Sequence, residues 1–401
     1  MEGLRCGTSY TFTVSATDGG CQSLNSKSVI KTTAPCPVQS VSNTLNCTTN
    51  TMSISWSPGS MPVNYSATVL SPNGTALSCT TEASSCSVGT LQCGQRYTVT
   101  VKAVSSTCEG PSSVPTIVNS VPCVPKNVQG VVECSTNTLQ ASWNPSAGAT
   151  SYISTVTKAG GFSSSCSSTN ASCLFPDLEC AQTYSLSVIA LNNWCNSSRS
   201  ATVSATTAPC DPTNVKASLN CLTDEVTVTW NASAGANAYT VVAEASGHVD
   251  SCKSSGTSCM FSALRCGKDY TITVLAGDTK CNSSILAKTN ITTAPCPPVF
   301  QNNSNFCVTN RTSVNWARDK YAISVTVSAG SNMGHSLSCN SSTDSSCLLD
   351  QLRCGNTYTV NAVAQGVQCS SKTSSSFQIV TGMTVKKIKM FYLHYFAFSK
   401  S

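Results

Sequence analysis

The sequence predicts an all-β chain of tandem antiparallel β-sandwiches, four complete and one truncated. Three observations predict it. Six cysteines recur in the same order four times at a period of 86 or 87 residues, in register with a tryptophan and a tyrosine. Strict apolar and polar alternation follows each tyrosine, the mark of a half-buried strand. Turn residues punctuate the chain about every 8 to 12 positions, with no helical period between them. Self-similarity at a fixed long period means one unit copied in tandem.

Each unit opens on a cysteine, at Cys36, Cys123, Cys210 and Cys296, and a second follows eleven residues on, at Cys47, Cys134, Cys221 and Cys307. Trp56, Trp143, Trp230 and Trp316 stand nine residues further, each closing an alternating stretch such as Met52, Ile54, Trp56. A Leu-x-Cys-x-x-x-Tyr box follows at Leu91 to Tyr97, Leu178 to Tyr184, Leu264 to Tyr270 and Leu352 to Tyr358. The strand after it carries one apolar face: Tyr97, Val99, Val101, Ala103 in the first unit, and the equivalent residues in the others. Leu4, Cys6 and Tyr10 repeat the box at the start of the chain. The expected division is therefore a truncated unit at 1–35, units at 36–122, 123–209, 210–295 and 296–382, and a basic, aromatic tail without fixed structure at 383–401.

A unit of this size buries only about two-thirds of its unfolded surface, so cross-links would reinforce a marginal core. Twenty-six cysteines with three histidines fit an oxidising compartment and disulfides rather than the cytosol. The opening residues, Met1 to Cys6, contain no apolar run, so any secretion signal is expected upstream of a chain that enters mid-unit. Met390 to Phe398 is apolar and aromatic, but nine residues fall short of the about twenty that a membrane helix needs.

Charged residues make up only 10% of the chain, against about 25% in ordinary soluble domains. Glycans are the natural solubilising group. Asn-x-Ser/Thr sequons stand at Asn46, Asn64, Asn73, Asn170, Asn196, Asn231, Asn282, Asn290, Asn302, Asn310 and Asn340. Of the net charge of +6, four positive charges lie in the last nineteen residues. The remainder is no footprint for nucleic acid, which calls for a clustered basic face.

The strand ending in tryptophan, the Leu-x-x-Gly-x-x-Tyr corner and the 36 to 38 residues from each tryptophan to the corner cysteine resemble fibronectin type III domains. The resemblance covers residues 1 to about 382 and implies immunoglobulin-like sandwiches. Where that family usually has proline before the corner glycine, this chain has cysteine, before Gly7, Gly94, Gly267 and Gly355, with Ala181 in the glycine position of one unit. The last unit departs from its siblings at Val325, where the others place Tyr65, Tyr152 and Tyr239.

Six cysteines allow fifteen connectivities. In a type III sandwich the loop between the first two strands and the corner lie at one end, which favours Cys47 with Cys93, Cys134 with Cys180, Cys221 with Cys266 and Cys307 with Cys354. Cys79 with Cys86, Cys166 with Cys173, Cys252 with Cys259 and Cys339 with Cys347 would flank a short turn. The remaining pairs are Cys36 with Cys108, Cys123 with Cys195, Cys210 with Cys281 and Cys296 with Cys369. This scheme leaves Cys6 and Cys21 unpaired; a competing junction scheme, joining Cys108 to Cys123, would strand Cys369.

A zinc site would need close-spaced cysteine pairs such as Cys-x-x-Cys, which do not occur. His248, His335 and His394 fall in register with no serine or acid box, and no phosphate-cradling glycine loop is present. The copied residues are core and cross-link residues, so the expectation is no enzyme and no cofactor. The tryptophans are expected in the core and the box tyrosines in a corner hydrogen bond. No Arg-Gly-Asp occurs, so integrin binding of the kind some family members show is unsupported. Ala-Pro-Cys and Val-Pro-Cys junctions leave little linker, which predicts a semi-rigid rod of roughly 130 Å. The expected role is extracellular or cell-surface recognition of a protein ligand or receptor; the alternative is a glycan-shielded spacer without a specific ligand.

Overall fold

A computed structural model of the 401-residue chain describes residues 3–59, 63–89, 91–283, 286–301 and 310–382. The chain forms two compact units, Met1–Thr207 and Ala208–Ser401. Among the described residues there is no helix, and the strands pair only antiparallel. Every complete repeat builds the same object, a three-stranded sheet facing a four-stranded one.

In the first sandwich the three-stranded sheet comprises Ser42–Asn46, Thr51–Ser55 and Ser85–Val88, with Thr51–Ser55 in the middle. The four-stranded sheet runs Ala76–Thr81, Asn64–Leu70, Arg96–Val104, Thr116–Asn119. Its central strand explains the repeat. Tyr97, Val99, Val101 and Ala103 are buried, while the residues between them face outward, so a two-residue period becomes one wall of the core. Met52, Ile54 and Trp56 form the opposite wall, and all seven belong to one buried cluster. The second sandwich repeats this with Thr138–Ser142 and Thr183–Leu191 as its central strands, around Leu139, Trp143, Leu186 and Val188. The truncated repeat at the start of this unit contributes two hairpins, Ser9–Phe12 with Val29–Thr32 and Thr17–Asp18 with Cys21–Gln22.

In the unit Ala208–Ser401 the third sandwich centres on Val226–Asn231 and Asp269–Gly277, and the fourth on Thr312–Ala317 and Thr357–Gln365. Each encloses its own core, the third around Trp230 and Tyr270 and the fourth around Trp316 and Tyr358. The all-β fold of tandem sandwiches is thus the one the period and alternation predict. The expected tail at 383–401, with His394, lies outside the described residues, as do Asn302 and Cys307.

A second ladder supports the tyrosine strands. The loop into the last strand bulges away, and serine hydroxyls take the place of backbone carbonyls: Ser113 Oγ accepts from Val101 N, Ser200 Oγ from Val188 N and Ser374 Oγ from Ala362 N. A buried hydroxyl satisfies an amide that would otherwise cost about 1–3 kcal/mol to bury unpaired.

Candidate functional site

The corner is the best-defined local motif. In every repeat the backbone N–H five residues before the box tyrosine donates to its hydroxyl: Arg5 to Tyr10, Gln92 to Tyr97, Glu179 to Tyr184, Arg265 to Tyr270 and Arg353 to Tyr358, at 2.9 to 3.1 Å. The amide after the corner glycine position is held by a hydroxyl 25 residues on, as in Lys268 N to Thr293 Oγ1 and Asn356 N to Thr381 Oγ1. His248 Nδ1 lies 2.9 Å from the Tyr270 hydroxyl and His335 Nδ1 2.8 Å from that of Tyr358, which places both histidines as corner supports. The corner needs a left-handed residue, and Gly94, Gly267 and Gly355 supply it at φ of 66, 59 and 75°. Ala181 holds the same conformation at φ 53°. A left-handed Cβ costs about 1–2 kcal/mol, and glycine gives back about 0.5–1 through the unfolded chain. Ala181→Gly is therefore expected to stabilise the second sandwich by about 0.5 kcal/mol, read as a thermal midpoint raised by ~2–4 °C.

The tryptophans pack on a second tyrosine: Trp56 on Tyr65, Trp143 on Tyr152 and Trp230 on Tyr239, with ring centroids 5.2 to 5.4 Å apart. Those hydroxyls accept from Gly59, Ser146 and Ser233 N. Val325 removes this pair from the fourth sandwich, whose core gains Phe300 against Phe377 at 4.8 Å instead.

The cysteines depart from the expected scheme. Cys79–Cys86, Cys166–Cys173, Cys252–Cys259 and Cys339–Cys347 are bonded within one sandwich. Each joins the outer strand of the four-stranded sheet to the outer strand of the three-stranded one, as Ala76–Thr81 to Ser85–Val88, and so closes an open edge of the sandwich. The long-range bonds go elsewhere. Cys47 is bonded to Cys195 rather than Cys93, Cys93 to Cys123, Cys36 to Cys6 rather than Cys108, Cys221 to Cys369 rather than Cys266, and Cys296 to Cys266 rather than Cys369. Cys123 with Cys195 is excluded by the same bonds. Cys134, Cys180, Cys210 and Cys281 are also disulfide-bonded. Cys21, Cys108 and Cys354 are free and exposed, so neither Cys36–Cys108 nor Cys307–Cys354 forms.

The physical reason lies at the sandwich ends. The first-hairpin loop and the corner share one end, but a disulfide needs Cα atoms about 5–6 Å apart. Within each compact unit the following sandwich brings its opening segment and its last loop to that end, so Cys93 meets Cys123 and Cys47 meets Cys195, as Cys266 meets Cys296 and Cys221 meets Cys369. The Cα separations are 5.4 Å for Cys47–Cys195 and 4.9 Å for Cys93–Cys123. Backbone fills the same junction: Cys123 N donates to Ala147 O, and a Cβ on Gly94 would lie 2.5 Å from that oxygen. Between the third and fourth sandwiches Cys296 N donates to Asp319 Oδ2, and the Tyr321 hydroxyl donates to Asp269 at 2.6 Å. Hydrogen bonds from Thr292 and then Tyr321 lower the Asp269 pKa below the ordinary aspartate value. A cleft of about 790 Å³, lined by Asp269, Asn290, Tyr321 and Val367 among others, lies beside this contact.

Residues 37–119 match the sequence profile of the family described as Fibronectin type III domain. Residues 37–119 are a fibronectin type III domain. The chain is similar to Fibronectin type III domain-containing protein 7 of Homo sapiens, 29% identical over 84% of this chain and 46% of that protein. It is 27% identical to Fibronectin type III domain-containing protein 7 of Mus musculus, over 90% of this chain and 48% of that one. The chain spans about half the length of these curated relatives. The FN1–FN3 domains of chicken CNTN1 align at a TM-score of 0.28 and 18% identity, over 65% of this chain and 99% of that one.

The sandwiches also display the sequons. Asn46, Asn64, Asn73, Asn170, Asn196, Asn231, Asn282, Asn290, Asn310 and Asn340 are all exposed. Sequence reasoning passed over Trp194, the one tryptophan out of register. It lies in the last loop of the second sandwich, beside Cys195, and is 68% exposed. Its signal was that very lack of register, since a tryptophan outside the copied core positions has no core to fill. Among the described residues no group of three or more His, Cys, Asp or Glu could hold a metal ion, and no helix is long and apolar enough to cross a membrane.

Proposed function

We propose that this chain is part of an extracellular or cell-surface type III array that recognises a protein partner without catalysis, and that the loop carrying Trp194 is a principal contact. The domain division at 36–122, 123–209, 210–295 and 296–382 belongs to the same proposal, as does glycosylation at the sequons. The observation that carries it is the exposed indole held on a cross-linked loop. Tryptophan dominates protein–protein hot spots because it offers a large rigid surface at little entropic cost. Its neighbour Cys195 ties the loop to the first sandwich, so the ring is presented on a preorganised base. Disulfide density and exposed sequons agree with an oxidising compartment.

The purified array should bind at least one member of a panel of cell-surface ectodomains saturably, and Trp194→Ala should weaken that binding by at least ~30-fold, the loss of a hot spot of about 2 kcal/mol. Saturable binding that the substitution leaves untouched removes Trp194 from the interface. No saturable binding, before or after enzymatic removal of glycans, favours the glycan-shielded spacer instead. Exposure of all ten described sequon asparagines is the observation on that side.

A further inference from the structure

The long-range bonds change what happens when the two ends of the chain are pulled apart. Tension follows the shortest covalent route, and disulfides are part of that route. From residue 1 it runs along the backbone to Cys6, crosses to Cys36, follows eleven residues to Cys47 and crosses to Cys195. It then follows the backbone from Cys195 to Cys221, crosses to Cys369 and continues to residue 401. The 147 residues between Cys47 and Cys195 lie on a closed loop that bears no load, and so do the 147 between Cys221 and Cys369. Those loops hold the tyrosine strands and nearly all the residues of the four cores.

From this routing we infer that the chain is a load-bearing tether whose sandwiches are mechanically bypassed. An ordinary tandem array lengthens under force because each sheet-built domain unfolds and releases its residues. Here a sandwich that unfolds releases to the load path only its one strand that lies on it, Ser42–Asn46, Val203–Thr206, Thr213–Leu219 or Phe377–Val380, because covalent bonds span the rest. The load path contains about 75 residues, ~260 Å when fully extended, against ~1,400 Å for the whole reduced chain. The bonds formed by Cys134, Cys180, Cys210 and Cys281 can shorten this route but never lengthen it. A ligand-bearing loop such as that of Trp194 lies inside a bypassed segment, which ends at Cys195. The function is independent of whether Trp194 binds a partner.

Single-molecule force spectroscopy on the 401-residue chain, with handles at residues 1 and 401, reads the inference directly. Peptide mapping of the same preparation should find Cys6–Cys36, Cys47–Cys195 and Cys221–Cys369. The oxidised chain should then stop extending at or below ~260 Å, without the ~300 Å steps that release of an 87-residue domain produces. Dithiothreitol should restore those steps and bring the total to ~1,400 Å. The pair Cys47→Ser with Cys195→Ser should lengthen the oxidised limit by up to ~400 Å, because the load is rerouted through Cys93–Cys123. Repeated ~300 Å steps in the oxidised chain, or failure to find the three bonds, overturns the inference.

Discussion

Trp230→Ala is expected to destabilise the third sandwich by about 3.5–6.5 kcal/mol while leaving its neighbours unaffected. The indole is buried at 5% exposure within the cluster of Val228, Tyr239, Val241 and Tyr270. Truncating a buried tryptophan costs about 3–5 kcal/mol through lost transfer and the cavity left behind. The tilted contact with Tyr239 at 5.2 Å adds about 0.5–1.5 kcal/mol. A domain of this size has about 5–15 kcal/mol in total, so the change takes about half of a typical reserve. Amide hydrogen exchange is the suitable measurement, since it reports each sandwich separately. Protection should fall by several orders of magnitude in Asp269–Gly277 and persist in Arg96–Val104. Intact protection in both strands would show that the site collapses around the missing ring.

Cys47→Ser combined with Cys195→Ser gives the second large effect. The bond closes a loop across 148 residues, and on the chain-entropy model its removal frees the unfolded ensemble by about 4–5 kcal/mol. Cys93–Cys123 remains and shortens the effective loop to about 118 residues, which keeps the loss within that range. The expected result is a guanidinium transition of the first two sandwiches at clearly lower concentration, followed by the fluorescence of Trp56 and Trp143. Cys79→Ser with Cys86→Ser, whose bond spans only seven residues, should move the transition less. Equal shifts for the two pairs would mean that loop length is not what governs them.

Much of the fold was legible because it depends on local periodicity. Alternation along Tyr97, Val99, Val101 and Ala103 marks both a strand and its buried face, and the Trp and Leu-x-Cys box mark where the walls of the core begin. Edge cysteines such as Cys79 and Cys86 were readable for the same reason, since seven residues leave little freedom. The long-range connectivity was not readable. Repetition gives every unit the same six cysteines, so a bond inside a unit and a bond to its neighbour use identical residue types at indistinguishable spacings. Only the facing of one sandwich end against the next decides between Cys93 and Cys195 as the partner of Cys47. The serine ladder, with Ser113 and its counterparts, was hidden for another reason: in a chain so rich in serine, the ones that carry backbone bonds have no compositional contrast.

The Cys47–Cys195 bond also sets a timetable for biosynthesis. Its second sulfur is translated 148 residues after the first, which at about 5–20 residues per second means a wait of roughly 7–30 s. During that interval the emerging first sandwich carries the thiol of Cys47 unpaired, awaiting the domain still on the ribosome. Any bridge that Cys47 forms before Cys195 appears has to be reopened by thiol exchange before the final bond can close.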